Sequence, residues 1–216
     1  ENVLQKFKGY FNSDIDVTGT FYKPIFEGYI NAVDSSFDVP YLGLRYGFVD
    51  DPTFTLNNQT INIKDFTLNE KKSNTSGVMN GKISHNRLKD WFLDFKIESK
   101  NLIALNTQSS ENEYYYGTGF LNGSAYFIGP GKDLDIEING ATQENTKIII
   151  PIRYGDGLDQ LSYLTFKENN NDSTTNLLNQ GLEVFLNINI NKNAEIEIIF
   201  DEKTGSKISG LGEGQF

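Results

Sequence analysis

The stretch from Gly181 to Phe200, GLEVFLNININKNAEIEIIF, limits the possible folds more than any other part of the chain. Leu182, Val184, Leu186, Ile188 and Ile190 alternate with Glu183, Phe185, Asn187, Asn189 and Asn191, so an extended backbone puts one set on each face. Phe185 alone breaks the pattern. After the polar turn Asn191-Lys192-Asn193 the alternation resumes, with Ala194, Ile196, Ile198 and Phe200 against Glu195, Glu197 and Ile199. A period of two is the mark of a half-buried strand; a helix would scatter these residues around its axis.

The same design recurs through the chain. In TINIKDFTL, Ile61 and Ile63 share a face, then the phase shifts to Phe66 and Leu68, which predicts a β-bulge near Lys64-Asp65. In DWFLDFKIES, Trp91, Leu93, Phe95 and Ile97 oppose Asp94, Lys96 and Glu98. A helix over Leu88 to Ile97 is the rival, but the alternation and the aromatic content favour a strand. DLDIEING sets Leu134, Ile136 and Ile138 on one face, and KIIIPIRY does the same for Ile148, Ile150 and Ile152. Turns fall at Lys23-Pro24, Asp51-Pro52, NEKKSNTSG and Gly129-Pro130-Gly131. The reading is one all-β domain over residues 1–216, with at most a short helical turn around Gly157 to Phe166. Residues 167–180, in KENNNDSTTNLLNQ, hold too little apolar surface to offset their ordering entropy and form a flexible Asn-rich loop.

Composition narrows the function. The net charge is −10, with acids and bases interspersed, so no basic patch is available for nucleic acid. Without cysteine there is neither a disulfide framework nor a thiolate metal site. No apolar run approaches the roughly 18 residues of a spanning helix. The start at Glu1 and the stop at GEGQF, inside an unfinished strand, read as a piece cut from a longer protein.

Candidates for chemistry are few. His85, the single histidine, has no second ligand or nucleophile at a useful spacing, and a surface or turn-capping role is the better reading. Asp14/Asp16, Asp133/Asp135 and Glu195/Glu197 each share a strand face, which suits either a Ca²⁺ or glycosidase pair or, more simply, a solvated face. Gly117/Gly119 and Gly210/Gly212/Gly214 leave a strand face bare, because the backbone bends there or because something packs against it. DIDVTG and DLDIEING, each followed by a Pro-containing segment ending in Arg-Tyr-Gly, suggest a repeated strand pair.

Five segments, in order, carry a family resemblance: GVMNGKISH with DWFLDFKIESKNLIALNT, YYYGTGFLNGSAYFIGP, DLDIEINGATQENTKIIIPI and AEIEIIFDEKTGSKISGLGEGQF. Together they resemble the late, C-terminal region of the TamB family, the translocation and assembly module proteins of the AsmA-like group, over most of residues 26–216. The resemblance implies a long periplasmic β-structure curled into an open trough with an apolar inner face. It also implies a full-length protein anchored in the inner membrane through segments outside this stretch and reaching the outer membrane. The partners implied are phospholipid or other acyl chains and an Omp85-type outer-membrane barrel, TamA-like or in lipoprotein form. No cofactor, metal or catalytic residue is implied.

The physics of such a trough is simple. Each methylene moved through water costs about 0.8 kcal/mol, so a tail of about 16 carbons costs on the order of 12 kcal/mol unless an apolar groove shields it. Roughly 14 strands stacked about 4.8 Å apart give a groove on the order of 60 Å long. The expected lining is Ile61/Ile63, Trp91/Leu93/Phe95, Leu134/Ile136/Ile138, Ile148/Ile150/Ile152, Leu182/Val184/Leu186/Ile188 and Ile196/Ile198/Phe200. Two other readings remain: a closed β-sandwich that binds a glycan or a protein partner as an adhesin module, and a glycoside hydrolase with two carboxylates about 5 to 10 Å apart. An open groove and a packed core give the same alternation.

Overall fold

The computed structural model describes residues 5–112, 114–130, 133–151, 182–201, 205–211 and 214–215. Fourteen strands account for most of them: β1 (Gln5–Thr20), β2 (Lys23–Val39), β3 (Leu44–Phe48), β4 (Thr53–Asn57), β5 (Thr60–Glu70), β6 (Thr75–Asn86), β7 (Lys89–Thr107), β8 (Tyr116–Pro130), β9 (Leu134–Thr142), β10 (Lys147–Pro151), β11 (Leu182–Ile190), β12 (Glu195–Asp201), β13 (Ser206–Leu211) and β14 (Gly214–Gln215). All fourteen hydrogen-bond into one sheet. The fold is the all-β curled sheet that the alternation requires, and the only helical element among the described residues is the 3-10 turn Pro40–Leu42. Leu88 to Ile97 is not a helix but mostly the start of β7. The helical turn at Gly157 to Phe166 and the Asn-rich loop at 167–180 lie outside the described residues.

From β1 to β8 the pairing is antiparallel throughout, and turns return the chain beside the strand just finished everywhere except between β3 and β4. Glu70 closes one such turn, its carboxylate accepting from both the amide and the hydroxyl of Ser73 at 2.7 Å. β2 is long enough to pair with two short strands end to end, β4 along Glu27 to Asn31 and β3 along Ser36 to Val39. At β8 the sheet divides in the same way. Its C-terminal half pairs with β9 and its N-terminal half with β10.

Beyond that division the pairing becomes parallel: β11 lies on β9 and β12 on β10. In both pairs the strands run in the same direction in register, Leu182 beside Leu134 and Glu195 beside Lys147. The expected turn after Asn191 is present, with the Ala194 amide donating to the Asn191 carbonyl at 2.8 Å. It is a corner rather than a hairpin, since β11 and β12 pair with other strands and not with each other. The corner stacks on the equivalent one between β9 and β10. There the Glu195 amide donates to the Thr146 carbonyl (2.9 Å), and the Asn191 amide donates to the Thr142 hydroxyl (2.7 Å). Thr146 and Ala194 are 2% and 0% exposed, so the corner is packed solid.

Apolar packing concentrates in two places. Ile63, Phe66, Leu68 and Met79 form one cluster, with the Phe54 ring edge-on to Phe66 at 4.7 Å. Leu44, Tyr46 and Ile103 form the other, where the Tyr46 hydroxyl donates to the Ile103 carbonyl at 2.7 Å. β3 and β7 are separated by β5 and β6 along the sheet yet touch here, so the sheet curls back towards itself. The bulge predicted at Lys64-Asp65 is present: the β5–β6 register slips between Ile63 and Phe66, and Asp65 takes a left-handed φ of 55°.

Candidate functional site: the apolar face of the sheet

Residues in register on adjacent strands point to the same side of a sheet, so the pairing table places the apolar sets without ambiguity. One row crosses β5, β6, β7, β8, β9 and β11 as Ile63, Gly81, Phe95, Phe127, Ile136 and Val184. Beside it runs a second, Phe66, Met79, Ile97, Ala125, Ile138 and Leu186. Ile61, Ile83 and Leu93 form a third on β5 to β7, and Leu134 is in register with Leu182. Across the β8 division, Ile148 pairs with Gly117 and with Ile196, and Ile150 pairs with Ile198. Gly117 and Phe127 are an even number of residues apart on one unbulged strand, so both halves of the sheet turn the same face inward.

The opposite face carries the charged and amide side chains, with Val78, Phe92, Tyr126, Ile128 and Phe185 exposed among them. Lys82 meets Asp94 at 3.6 Å and Lys207 meets Glu197 at 3.2 Å, while Lys96 pairs with Glu98 and lies 5.0 Å from the centre of the Tyr126 ring. The Asn187 amide donates to Asn139 at 3.1 Å in a short asparagine ladder. Glu195, 2.9 Å from Lys147, and Glu197 are thereby held in ion pairs, and Asp14 and Asp16 are exposed on β1. Among the described residues no group of three or more His, Asp or Glu side chains is placed to hold a metal ion.

Coverage of the apolar face is uneven. Ile63 and Ile136 are buried, whereas Ile61, Leu93, Phe95, Leu134, Ile138, Ile148, Ile150, Leu186, Ile188, Ile196, Ile198 and Phe200 are only half-buried. Among the described residues no large side chain is completely enclosed. Trp91 stands apart from the rows: the β6–β7 register slips between Ser84 and Asn86, and the indole, 39% exposed, packs at the end of the face against His85, ring centres 4.9 Å apart. Leu182 and Val184 are placed by backbone register, and Ile152 lies outside the described residues. The sequence reading omitted Ile83, Met79 and Phe127 from this face. Phe127 sits in GSAYFIGP, where alternate Ala125, Phe127 and Gly129 are a strand signal diluted by glycine.

His85 is not at the surface. It is 5% exposed, packed between Phe26 and Trp91, and its Nδ1 accepts from the Leu88 amide at 3.1 Å. The turn-capping role is therefore real, while Nε2 is buried with no partner among the described residues. Burial holds the imidazole pKa below its ordinary value of 6.5. A depressed folded-state pKa gives stability that is complete above the unfolded value and is lost as pH falls through the folded one. The urea midpoint is thus expected to drop as pH is lowered below about 6.5, and His85→Gln is expected to flatten that part of the profile. An unchanged slope would mean that another group titrates there.

The TamB C-terminal domain family model matches residues 64–216, from within β5 to the end of the chain. The match begins at residue 64, later than the residue 26 from which the likeness is legible by eye, and leaves β1 to β4 outside it. No curated protein and no solved structure matches the chain.

Proposed function

The chain belongs to the TamB C-terminal domain family, which is tied to outer-membrane assembly and transport, and on that premise we propose that its apolar face shields lipid acyl chains on their way between membranes. The observation that carries this reading is the continuity of the face: one apolar row runs across six strands of a single sheet, a second beside it is interrupted at Gly81, and most of their side chains keep part of their surface uncovered. A protein that needed these residues only for stability would cover them with a second layer about 10 Å away. Here hydrogen bonds join all fourteen strands in one sheet, which speaks against the closed sandwich of an adhesin module. The work proposed is non-enzymatic: binding and release along a trough, with the ion-paired outer face meeting the periplasm. An Omp85-type barrel at the outer membrane is the proposed receiving partner. Support for the assembly of outer-membrane proteins follows from the same surface, since an unfolded barrel strand also offers an apolar side that needs cover.

The test is to purify the chain without detergent and combine native mass spectrometry with lipid extraction. Bound phospholipid is the expected result. A lipid-free chain that also fails to take up lipid from vesicles would remove the carrier reading and leave the face as a scaffold.

A further inference from the structure

Three tight turns meet at one end of the sheet: Phe21–Tyr22 between β1 and β2, Asn58–Gln59 between β4 and β5, and Arg87–Leu88 between β6 and β7. Gln59 ties them together. Its Nε2 donates to the Pro24 carbonyl at 2.7 Å, its Oε1 accepts from the Arg87 amide at 2.8 Å, and its carbonyl accepts from the His85 amide at 2.9 Å. Between the first and third turns lies an open cleft of about 640 Å³, lined on one side by Val17, Pro24 and Phe26 and on the other by Arg87, Leu88 and Lys89.

Apolar side chains also stand exposed along β1, at Phe7, Tyr10, Phe11 and Val17, and on β13 at Ile208, but at these turns they are gathered beside cations. Phe21 is 93% exposed, Tyr22 76% and Leu88 54%. Arg87 and Leu88 hold φ angles of 52° and 61°, the left-handed region that a two-residue hairpin turn usually fills with Asn and Gly. A leucine there is conformationally strained and gains little burial in return, so folding alone does not account for it. The cations Lys23, Arg87 and Lys89 flank these apolar tips, and none of them is in an ion pair with a described residue, in a chain whose net charge is −10. Of the nearby acids, Asp90 accepts from the Asn86 side chain at 3.3 Å, and Asp16 and Glu27 face each other further along the β1–β2 hairpin.

Exposed rings and a leucine with unpaired cations beside them match one surface, the interfacial zone of a bilayer carrying anionic head groups. The apolar tips suit the acyl boundary, and the cations suit the phosphates. We propose that these three turns form a membrane-docking tip that engages the anionic phosphate head groups of a bilayer surface. It stands independently of what the trough carries, since none of its residues belongs to the apolar rows.

Flotation of the whole chain with vesicles tests it. The chain is expected to float with phosphatidylcholine vesicles containing phosphatidylglycerol, to be released by salt, and to stay behind with phosphatidylcholine alone. Replacing Lys23, Arg87 and Lys89 by Gln is expected to weaken partitioning roughly fivefold per cation, on the order of a hundredfold together. Phe21→Ser combined with Leu88→Asn is expected to weaken it with charge unchanged, and Leu88→Asn relaxes a strained φ, so that loss cannot come from a broken turn. Lys64→Gln with Lys71→Gln, away from the tip, is the charge control and is expected to leave binding intact. Equal binding to neutral and anionic vesicles, or an unaltered triple variant, would overturn the proposal. Leu186→Arg is expected to keep flotation, which separates docking by the tip from lipid held in the trough.

Discussion

Arginine at Leu186 is expected to strip the apolar face of bound lipid, and arginine at Phe185, the adjacent residue, is expected to leave it loaded. The two positions share a strand and differ in side. Leu186 is half-buried and in register with Ile138, on the row that continues through Ala125, Ile97 and Met79 to Phe66. Phe185 is 44% exposed and lies opposite Glu137 on the charge-bearing face. Displacing about four methylenes from the trough forfeits about 3 kcal/mol, more than a hundredfold in retention, before any cost of desolvating the guanidinium. Neither residue belongs to the two packed clusters, so both variants are expected to unfold at similar urea concentrations. Phospholipid per mole of purified protein is the quantity to compare. Equal loading of the two variants would take the trough out of the explanation.

Much of this arrangement is legible in the sequence because a period of two has a direct geometric meaning. In DWFLDFKIES and DLDIEING the alternation alone places Phe95 and Ile136 on one face, and register joins them through Phe127. Even the phase slip at Lys64-Asp65 is readable, since a bulge is what a one-residue change of phase requires. Pairing partners are another matter. Nothing in Asn191-Lys192-Asn193 says that the turn is a corner, because the deciding contacts come from Thr142 and Thr146, roughly 50 residues earlier, at the corner between two strands that β11 and β12 join in parallel. The likeness between DIDVTG and DLDIEING has the same weakness. β1 pairs only with the strand after it, while β9 pairs with the strand before it and with β11, so similar words occupy different places.

His85 shows a different limit. Its neighbours in sequence are polar, which argues for exposure, yet Phe26 and Trp91 reach it across the sheet and bury it. The docking tip is hidden for a related reason. Asn-Arg-Leu-Lys reads as an ordinary polar loop, and its left-handed leucine becomes visible only when the backbone is traced.

Glycine is where a single methyl group is expected to matter most for stability. At Gly81, φ is 147°, and a Cβ would stand 2.3 Å from the Asp94 carbonyl oxygen and 2.5 Å from the Phe95 Cα. Both obstacles are backbone of the neighbouring strand, which a rotamer change cannot move aside. Gly117 is built alike, with the Lys147 carbonyl oxygen 2.1 Å from the same imagined carbon, whereas Gly210 has nothing within 4 Å. Gly117 thus marks a close approach of backbones, and Gly210 an open surface. Gly81→Ala is expected to cost about 3 kcal/mol or more, lowering Tm by roughly 6–12 °C for a chain of this size. Gly210→Ala is expected to change stability by less than about 1 kcal/mol, in the stabilising direction if at all. Calorimetry on the two variants decides the point. If Gly81→Ala melts with the wild type, β6 and β7 can part without loss, and the curl that gathers Ile63, Phe95 and Phe127 onto one concave face is held by something other than strand contact. If it melts early, the close backbone approach of β6 and β7 that only glycine permits at position 81 is one the fold depends on.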